Sequence, residues 1–256
     1  MAVWPRISGV ISDLDGVVYR GADPIDSAVT TFQRWYREGV PYAFVTNNST
    51  KTATEFAAKI NGMGIVVEAS QIITSAEVTA QMVAANHPAG SRVFVVGAPA
   101  LRDAILSHGF TVANSAVDVV VVGLDQGFTY QTLALAQSAL LAGAAFYGTN
   151  ADRMLPNGAG FEPGAGSILN AIGTASGKVP VIIGKPGRQM IDVAVDRLGT
   201  TRDATLMIGD QIDTDIVAGH AAGLPTVLVL TGVPQTGPRQ VQPDFEVANL
   251  TDIPKR

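Results

Sequence analysis

The sequence contains no cysteine, and only 15% of its 256 residues are charged. The absence of cysteine excludes disulfides, thiolate metal ligands and cysteine nucleophiles together. The net charge is −5 and no run of lysine and arginine stands out, so a nucleic acid is not an expected partner. Hydrophobic residues make up 47% of the chain, which is enough to bury a substantial core and to favour a folded protein.

The sequence also lacks a long apolar run. The most apolar long segment, residues 133–146, is interrupted by Gln137, Ser138 and Gly143 and is too short to span a bilayer. The first residues show no basic start followed by an apolar stretch and a small-residue cleavage site. We therefore expect no membrane partner and a location in the cytoplasm.

Apolar strand-like runs alternate with amphipathic helical stretches along the whole chain. Near-continuous Val, Ile and Leu strands separated by helices are typical of parallel sheets covered on both faces, so the fold class is α/β. The predicted strands cover residues 10–13, 42–46, 92–96, 117–123, 145–148, 181–183, 205–208 and 226–230. The predicted helices cover residues 28–38, 54–63, 77–86, 100–107, 130–141, 188–198 and 213–222.

Two carboxylates follow the first predicted strand. Asp13 and Asp15 point the same way on an extended chain, and Gly16 lets the chain turn just beyond them. Asp13 is the candidate nucleophile, because an aspartyl-phosphate divides one difficult hydrolysis into two easier displacements. Asp15 is the candidate general acid for the leaving alcohol and base for the attacking water. The structural alternative is an Asx turn or a helix cap at this loop.

A second acidic cluster follows the strand at 205–208. Asp210 stands directly after it, where ligands gather in open α/β sheets. Mg²⁺ combines a few carboxylates with water and substrate phosphate, so Asp13, Asp15 and Asp210 form the predicted magnesium site. Asp15 would coordinate through its backbone carbonyl, which leaves its side chain to handle protons. Asp213 and Asp215 are expected to orient the site from the side, although Asp213 could equally cap the next helix.

Polar residues also close the strand at 42–46. Thr46, Asn47 and Asn48 offer hydroxyl, amide and backbone donors that suit a phosphate, while a plain turn with a helix cap is the alternative. Lys185 follows the strand at 181–183. Its ammonium could neutralise phosphate charge and limit repulsion between the carboxylates, or it could be an ordinary solvated lysine.

The positions of the acidic strand ends predict the domain organisation. They lie near the two ends of the chain, so the region between them must leave the core and return to it. We predict a catalytic core of residues 1–75 and 183–256 and an inserted α/β domain of residues 76–182. The insert carries its own alternation of strands and helices, as a separate small domain requires.

Four segments, in this order, resemble the four motifs of the haloacid dehalogenase-like hydrolase superfamily. They are Asp13-Leu14-Asp15-Gly16, Thr46-Asn47-Asn48, Lys185, and Gly209-Asp210 with Asp213 and Asp215. Further segments resemble its NagD-like, para-nitrophenylphosphatase-like branch (subfamily IIA), namely Val17-Val18-Tyr19, Gly123-Leu124-Asp125 with Thr129-Tyr130, Thr149-Asn150-Ala151-Asp152 and Gly184-Lys185-Pro186. The resemblance covers nearly the whole chain.

This resemblance implies a Rossmann-like core with an inserted cap of the C2 type. It implies an Mg²⁺-dependent phosphatase that hydrolyses small phosphate monoesters through an aspartyl-phosphate, with sugar, glycerol and nucleoside monophosphates and pyridoxal phosphate as substrate classes. It also places the transferring phosphoryl group at Asn47, Asn48 and Lys185. Some relatives dimerise through the cap, so a homodimer formed by its exposed helices is an expectation. One departure is Gln211-Ile212, where many relatives carry a basic residue and leucine.

The insert must choose the substrate, because a phosphate site reads only what all esters share. The candidate specificity residues are Asn150, Asp152, Arg153, Phe161 and Glu162. Arg153 could meet an anionic leaving group and Phe161 could stack on a ring. Equally, Arg153 could pair with Asp152, and Phe161 could only pack its loop.

Two other functions fit part of the pattern. A receiver-like module accepts a phosphoryl group with clustered Asp, a hydroxyl residue and Lys around Mg²⁺, but it forms one short continuous domain. A non-catalytic protein that binds a phosphate ligand is the other alternative, although every reactive position here is occupied. Asp15 favours the phosphatase, because the leaving group of a phosphate ester needs the proton that this residue can supply.

Overall fold

The computed structural model describes residues 4–157, 160–234, 239 and 241–254, and of residues 156 and 157 only the backbone. The chain divides into two compact units. The first unit consists of Met1–Thr46, Ala53–Ile73 and Lys185–Arg256, and the second of Asn47–Thr52 and Thr74–Gly184. Residues 47–52 lie in the predicted core by sequence, but their contacts group them with the second unit. The predicted roles of core and cap stay predictions.

The described residues form strands in both units. The strands are β1 (Gly9–Ser12), β2 (Tyr19–Arg20), β3 (Asp23–Pro24), β4 (Tyr42–Thr46), β5 (Ile72–Thr74), β6 (Arg92–Val96), β7 (Thr111–Val112), β8 (Val119–Val122), β9 (Ala145–Gly148), β10 (Met154–Asn157), β11 (Gly160–Pro163), β12 (Val181–Ile182), β13 (Thr205–Gly209), β14 (Thr226–Val229) and β15 (Phe245–Val247).

Helices connect most of these strands. The α-helices are α1 (Asp26–Glu38), α2 (Ala53–Gly62), α3 (Ser75–Asn86), α4 (Pro99–Ser107), α5 (Tyr130–Leu141), α6 (Ala165–Ser176), α7 (Gln189–Leu198) and α8 (Val217–Ala221). A π-helical turn, Ile212–Ile216, leads into α8, and short 3₁₀ turns cover Ala69–Gln71, Arg202–Ala204 and Leu250–Asp252. None of the described helices combines the length and the apolar character that crossing a bilayer requires.

The first unit is built on a six-stranded sheet with the order β15-β14-β13-β1-β4-β5. Its central strands β1, β4, β13 and β14 are buried along their whole length, which accounts for their near-continuous apolar sequences. β1 pairs in parallel with both β13 and β4, so the three strands end at the same edge of the sheet. This edge is where an open α/β sheet gathers its ligands.

The second unit has its own five-stranded sheet with the order β12-β9-β8-β6-β7. Its pairings are parallel, and β8 is buried at every position. Helices α5 and α6 pack on this sheet, with Leu140, Leu169 and Ile172 in the core. A separate antiparallel hairpin joins β10 to β11. The predicted α/β class is therefore confirmed.

The structure differs from the predicted elements in two instructive places. Helix α6 was not predicted, because its glycines and small polar residues are weak helix formers, and the burial of Ile168, Leu169 and Ile172 stabilises it instead. The helix predicted at 213–222 begins as the π-helical turn. There the N–H of Asp215 donates to the carbonyl of Gln211, while the N–H of Gln211 donates to the Asp215 carboxylate.

Asp192 in α7 joins two arginines on the first unit. Nε and a terminal nitrogen of Arg188 lie 2.7 and 3.1 Å from its two oxygens, and Arg202 lies 2.8 Å from one of them. Partial burial opposes ionisation of Asp192, but hydrogen bonds from Arg188 and Arg202 outweigh it and lower the pKa of this carboxyl. A carboxyl with a lowered pKa stabilises the fold above its ordinary pKa.

We predict that Asp192→Asn lowers the free energy of unfolding by about 0.5 to 1 kcal/mol near pH 7, as expected for a partly exposed ion pair. Because the folded-state pKa is lowered, this contribution is lost as the pH falls through that lowered pKa, and wild type and variant should converge once the pH is below it. Urea unfolding at several pH values measures the difference. Asp196→Asn, in the same helix and exposed, is the control, and an equal loss in both variants would contradict the prediction.

Candidate active site

Neighbouring strand ends bring the main acidic residues together. Ser12 of β1 pairs with Ile208 of β13, and the N–H of Asp13 donates to the carbonyl of Ile208 at 2.9 Å. Asp13 and Asp210 therefore leave the same edge of the sheet. Both side chains are buried, as is that of Asp215 in the π-helical turn. Carboxylate oxygens of these three residues lie within 4.8 Å of one another.

Lys185 lies among these carboxylates. Its Nζ is 2.8 Å from Oδ1 of Asp13 and 2.7 Å from Oδ1 of Asp215, and its side chain is almost completely buried. The ammonium therefore joins the residue after β1 to the turn after β13. This geometry fits the predicted role of Lys185 in limiting carboxylate repulsion, and its contact with phosphate stays a prediction.

The buried charges of this cluster shift the pKa values of its members. Burial raises the pKa of Asp13 well above its usual range, and the Asp215 and Asp210 carboxylates add to the effect against the opposing Lys185. Burial and the charge of Asp215 raise the pKa of Asp210 to about 7. Burial disfavours the Lys185 ammonium, but Asp13 and Asp215 outweigh it and raise the pKa of this group. Three carboxylates around one ammonium leave an excess of negative charge.

The donor set fits a divalent cation. Hard cations such as Mg²⁺ prefer carboxylate oxygens, and Asp13 and Asp210 present theirs at adjacent strand ends. A cation would also offset the neighbouring negative charge that, in addition to burial, raises the pKa values of both groups. Asp15 is exposed, and its predicted coordination through the backbone carbonyl stays a prediction.

Glycines make room for the buried carboxylates. A Cβ at Gly16 or Gly232 would overlap the Asp210 carboxyl group, and one at Gly209 would overlap that of Asp215. Gly16 also has a φ of +80°, a conformation that side-chain-bearing residues rarely adopt. Only the turn at Gly16 was predicted from the sequence. Its second role, close approach to Asp210, depends on tertiary contacts.

A loop after β14 completes the surroundings of Asp210. The N–H of Val233 donates to Asp210 Oδ2 at 2.9 Å, and the Thr231 hydroxyl donates to the carbonyl of Gly16 at 2.7 Å. Nε of Arg20 donates to the carbonyl of Thr231 at 2.7 Å. Sequence reasoning missed this loop. One feature of the sequence could have indicated it. Thr231-Gly232 directly follows an apolar strand, as Asp13 and Asp210 do.

The other site residues predicted in the first unit differ in burial and in their contacts. Thr46 is buried at the end of β4, directly beside β1 in the sheet. Asp215 binds Lys185, whereas Asp213 is exposed and is not a member of the carboxylate cluster. Asp213 was held evenly between a functional role and a helix cap. It lies inside the π-helical turn, whose N-cap is Gln211, so the cap is wrong and the functional role stays a prediction.

The second unit groups three predicted residues. Nδ2 of Asn47 donates to Oδ2 of Asp152 at 3.1 Å, and Nδ2 of Asn150 donates to the carbonyl of Asn47 at 2.5 Å. Oδ1 of Asn48 accepts hydrogen bonds from the N–H and hydroxyl of Thr50, which is the turn that the structural alternative predicted. The phosphate-binding roles predicted for Asn47 and Asn48 stay predictions.

The remaining specificity candidates are accessible. Arg153, Phe161 and Glu162 are exposed, and Phe161 keeps 65% of its surface in solvent. Phe161 and Glu162 belong to β11 of the hairpin. Arg153 precedes the hairpin strand β10, and its carbonyl accepts a hydrogen bond from the N–H of Gly164, the residue before α6. This exposure suits residues that contact a ligand.

Family comparisons cover most of the chain. The family model described as haloacid dehalogenase-like hydrolase matches residues 10–111, and a second HAD-hydrolase-like model matches residues 182–253. An acid sugar phosphatase of Staphylococcus saprophyticus is 37% identical over 247 residues, covering 95% of each chain. The 5′-nucleotidase YutF of Bacillus subtilis is 40% identical over 225 residues, covering 88% of each chain.

Solved structures of phosphatases are also similar to this chain. A thermostable double-mutant NPPase of Geobacillus stearothermophilus has a TM-score of 0.91 and 37% identity, covering 97% of this chain and 98% of its own. A glycerol phosphate phosphatase of Mycobacterium tuberculosis, in complex with magnesium, has a TM-score of 0.89 and 33% identity, covering 96% of this chain and 77% of its own. The chain therefore belongs to the haloacid dehalogenase-like hydrolases, in their para-nitrophenylphosphatase-like branch, and is a phosphoric monoester hydrolase.

Proposed function

We propose that the protein hydrolyses small phosphate monoesters with Mg²⁺ and through a phosphoryl group carried on Asp13. The observation that carries this proposal is the cluster of Asp13, Asp210 and Asp215 around Lys185 at the ends of parallel strands. A buried carboxylate beside a fixed ammonium and further carboxylates is an arrangement suited to phosphoryl transfer. Side chains of Asp13 and Asp210, with the backbone carbonyl of Asp15, would hold the cation.

In the first displacement, an Asp13 oxygen attacks phosphorus while the bond from phosphorus to the leaving oxygen breaks. Asp15 gives its proton to that oxygen, so the product leaves as a neutral alcohol. In the second displacement, Asp15 takes a proton from water, whose oxygen attacks phosphorus and releases Asp13. Bound Mg²⁺ would reduce the repulsion between phosphate and carboxylates.

Lys185 serves this reaction by holding its partners. The short contacts to Asp13 and Asp215 restrict the rotamer of the nucleophile and place a positive charge beside it. Such preorganised charge costs no reorganisation during the reaction. We propose that Lys185 also contacts the transferring phosphoryl group, together with Thr46, Asn47 and Asn48.

The substrate is proposed to be a small phosphate ester of the kinds named for the relatives, namely sugar phosphates, nucleotides and glycerol phosphate. Asn150, Asp152, Arg153, Phe161 and Glu162 are the proposed specificity residues, and the exposure of the last three supports this role. The homodimer and the cytoplasmic location stay predictions from the sequence.

A panel of sugar, glycerol, nucleoside and pyridoxal phosphates tests the proposal directly. We expect phosphate release with Mg²⁺, loss of release with EDTA, and recovery when excess Mg²⁺ is restored. Asp13→Asn should lower kcat by at least about a thousandfold, because it removes the nucleophile and keeps the side-chain volume. Asp203→Asn, at an exposed position before β13, is the control and should keep the wild-type rate. Release that resists EDTA, or that survives in Asp13→Asn, would overturn the proposal.

Asp210→Asn should raise the Mg²⁺ concentration that gives half-maximal activity by at least about tenfold, because the variant loses one anionic ligand and keeps its shape. A Mg²⁺ titration of the steady-state rate, with Asp203→Asn in parallel, measures the change. An unchanged titration curve would remove Asp210 from the metal site. A lower rate at saturating Mg²⁺ alone would assign it a role in positioning instead.

A further inference from the structure

Asn47 is held at its backbone and at its side chain by other residues of the second unit. Its carbonyl accepts hydrogen bonds from the Ser75 hydroxyl at 2.6 Å and from Nδ2 of Asn150 at 2.5 Å. Nδ2 of Asn47 donates to Oδ2 of Asp152 at 3.1 Å. Residues from distant parts of the sequence therefore converge on one residue of the segment that is proposed to bind phosphate.

The hydrogen bond to Asp152 sets the orientation of the Asn47 amide. A carboxylate oxygen only accepts hydrogen bonds, so the amide nitrogen of Asn47 faces it and the amide oxygen points elsewhere. Both residues are half-buried, which limits competition from water. The amide oxygen lies next to Gly184, where an added Cβ would be only 2.6 Å from Asn47 Oδ1. The Asn47 side chain is therefore restrained on both sides of its amide.

The backbone of Asp152 is fixed by the start of α6. The N–H of Gly166 donates to the carbonyl of Asp152 at 2.9 Å. An added Cβ at Gly164 would lie 2.2 Å from this carbonyl oxygen, and one at Gly166 would lie 2.2 Å from the carbonyl oxygen of Ala151. Glycine is the residue that allows so close an approach of two backbone segments. The position of Asp152 is therefore set by packing against a helix.

The contacts of Asn150 and Asp152 separate them from the other predicted specificity residues. The other three are exposed, whereas Asn150 is only 4% exposed and Asp152 is half-buried. Each of the two binds Asn47 through its side chain. These contacts favour a role at the phosphate-binding segment over direct contact with a leaving group.

We propose that Asp152 is a positioning residue for Asn47. Its carboxylate fixes the amide of Asn47, so Asn47 meets the transferring phosphoryl group in one conformation and loses little side-chain entropy on binding it. Every phosphate ester carries the same phosphoryl group. Asp152 therefore affects all substrates alike and does not discriminate between leaving groups. This inference rests on the proposed phosphate-binding role of Asn47.

Inorganic phosphate is the probe for the test, because it carries phosphoryl oxygens and has no leaving group. Calorimetry in the presence of Mg²⁺ measures its dissociation constant. Asp152→Ala removes the acceptor and should raise this constant by about threefold to tenfold, as expected for loss of one hydrogen bond. The values of kcat/KM for sugar, glycerol and nucleoside phosphates should fall by one common factor. An unchanged dissociation constant would overturn the inference, and altered ratios among the esters would then return Asp152 to a specificity role.

Two further variants serve as comparisons. Asp152→Asn loses the charge but keeps an oxygen that can accept from Asn47, so it should recover most of the affinity that Asp152→Ala loses. Asp103→Ala, at an exposed position of α4 in the same unit, should bind phosphate as wild type does. Binding in Asp152→Asn as weak as in Asp152→Ala would overturn the role of the hydrogen bond. Partial unfolding cannot imitate the expected result, because it lowers the number of binding sites and not the affinity of the folded fraction.

Asn47→Ala separates failure of this inference from failure of the proposed function. Weaker phosphate binding in Asn47→Ala with wild-type binding in Asp152→Ala would overturn the positioning role and leave the phosphate-binding role of Asn47 intact. Wild-type binding in Asn47→Ala would overturn the phosphate-binding role, and the positioning role with it. In the double variant we expect no further loss beyond that of Asn47→Ala, because Asp152 then has no side chain to position. An additive loss would overturn the inference, since it would show that Asp152 acts independently of Asn47.

Discussion

The candidate active site depends on one buried ammonium. Lys185 bonds to Asp13 after β1 and to Asp215 in the turn after β13, so it joins the proposed nucleophile to the second acidic segment. Burying two carboxylates side by side is strongly unfavourable without a compensating charge. With Asp210 also in the cluster, one ammonium leaves a shortage of positive charge, which adds to the effect of burial in raising the pKa values of Asp13 and Asp210. Because the cluster has too little positive charge, it suits a divalent cation, and a bound cation would in turn favour the negative charge of a phosphoryl group.

The backbone makes this concentration of charge geometrically feasible. Parallel pairing of β1 with β13 and β4 ends three strands at one edge, where side chains of different segments converge. Gly16, Gly209 and Gly232 then leave the volume that the carboxyl groups of Asp210 and Asp215 occupy. Larger residues there would displace these carboxyl groups. The chemistry therefore depends as much on missing side chains as on charged ones.

Much of this arrangement could be predicted from the sequence, because strand-end carboxylates stand directly after apolar runs. Asp13 and Asp210 were found in that way, and the α/β class followed from the alternation of strands and helices. The contact between Lys185 and Asp215 could not be predicted, since it depends on how a turn and a strand end meet in space. The loop of Thr231 to Val233 was missed because it contributes backbone groups, which leave little trace in the sequence. Helix α6 was missed because packing rather than propensity stabilises it.

The central claim is that the phosphoryl group passes through Asp13. Rapid acid quenching during turnover of a phosphate ester, followed by borohydride reduction and peptide mass spectrometry, tests it most directly. An acyl phosphate at Asp13 would be reduced to homoserine at that position, and we predict this product in wild type with Mg²⁺ but not with EDTA. Turnover without any modification at Asp13, or with the modification at another carboxylate, would contradict the account.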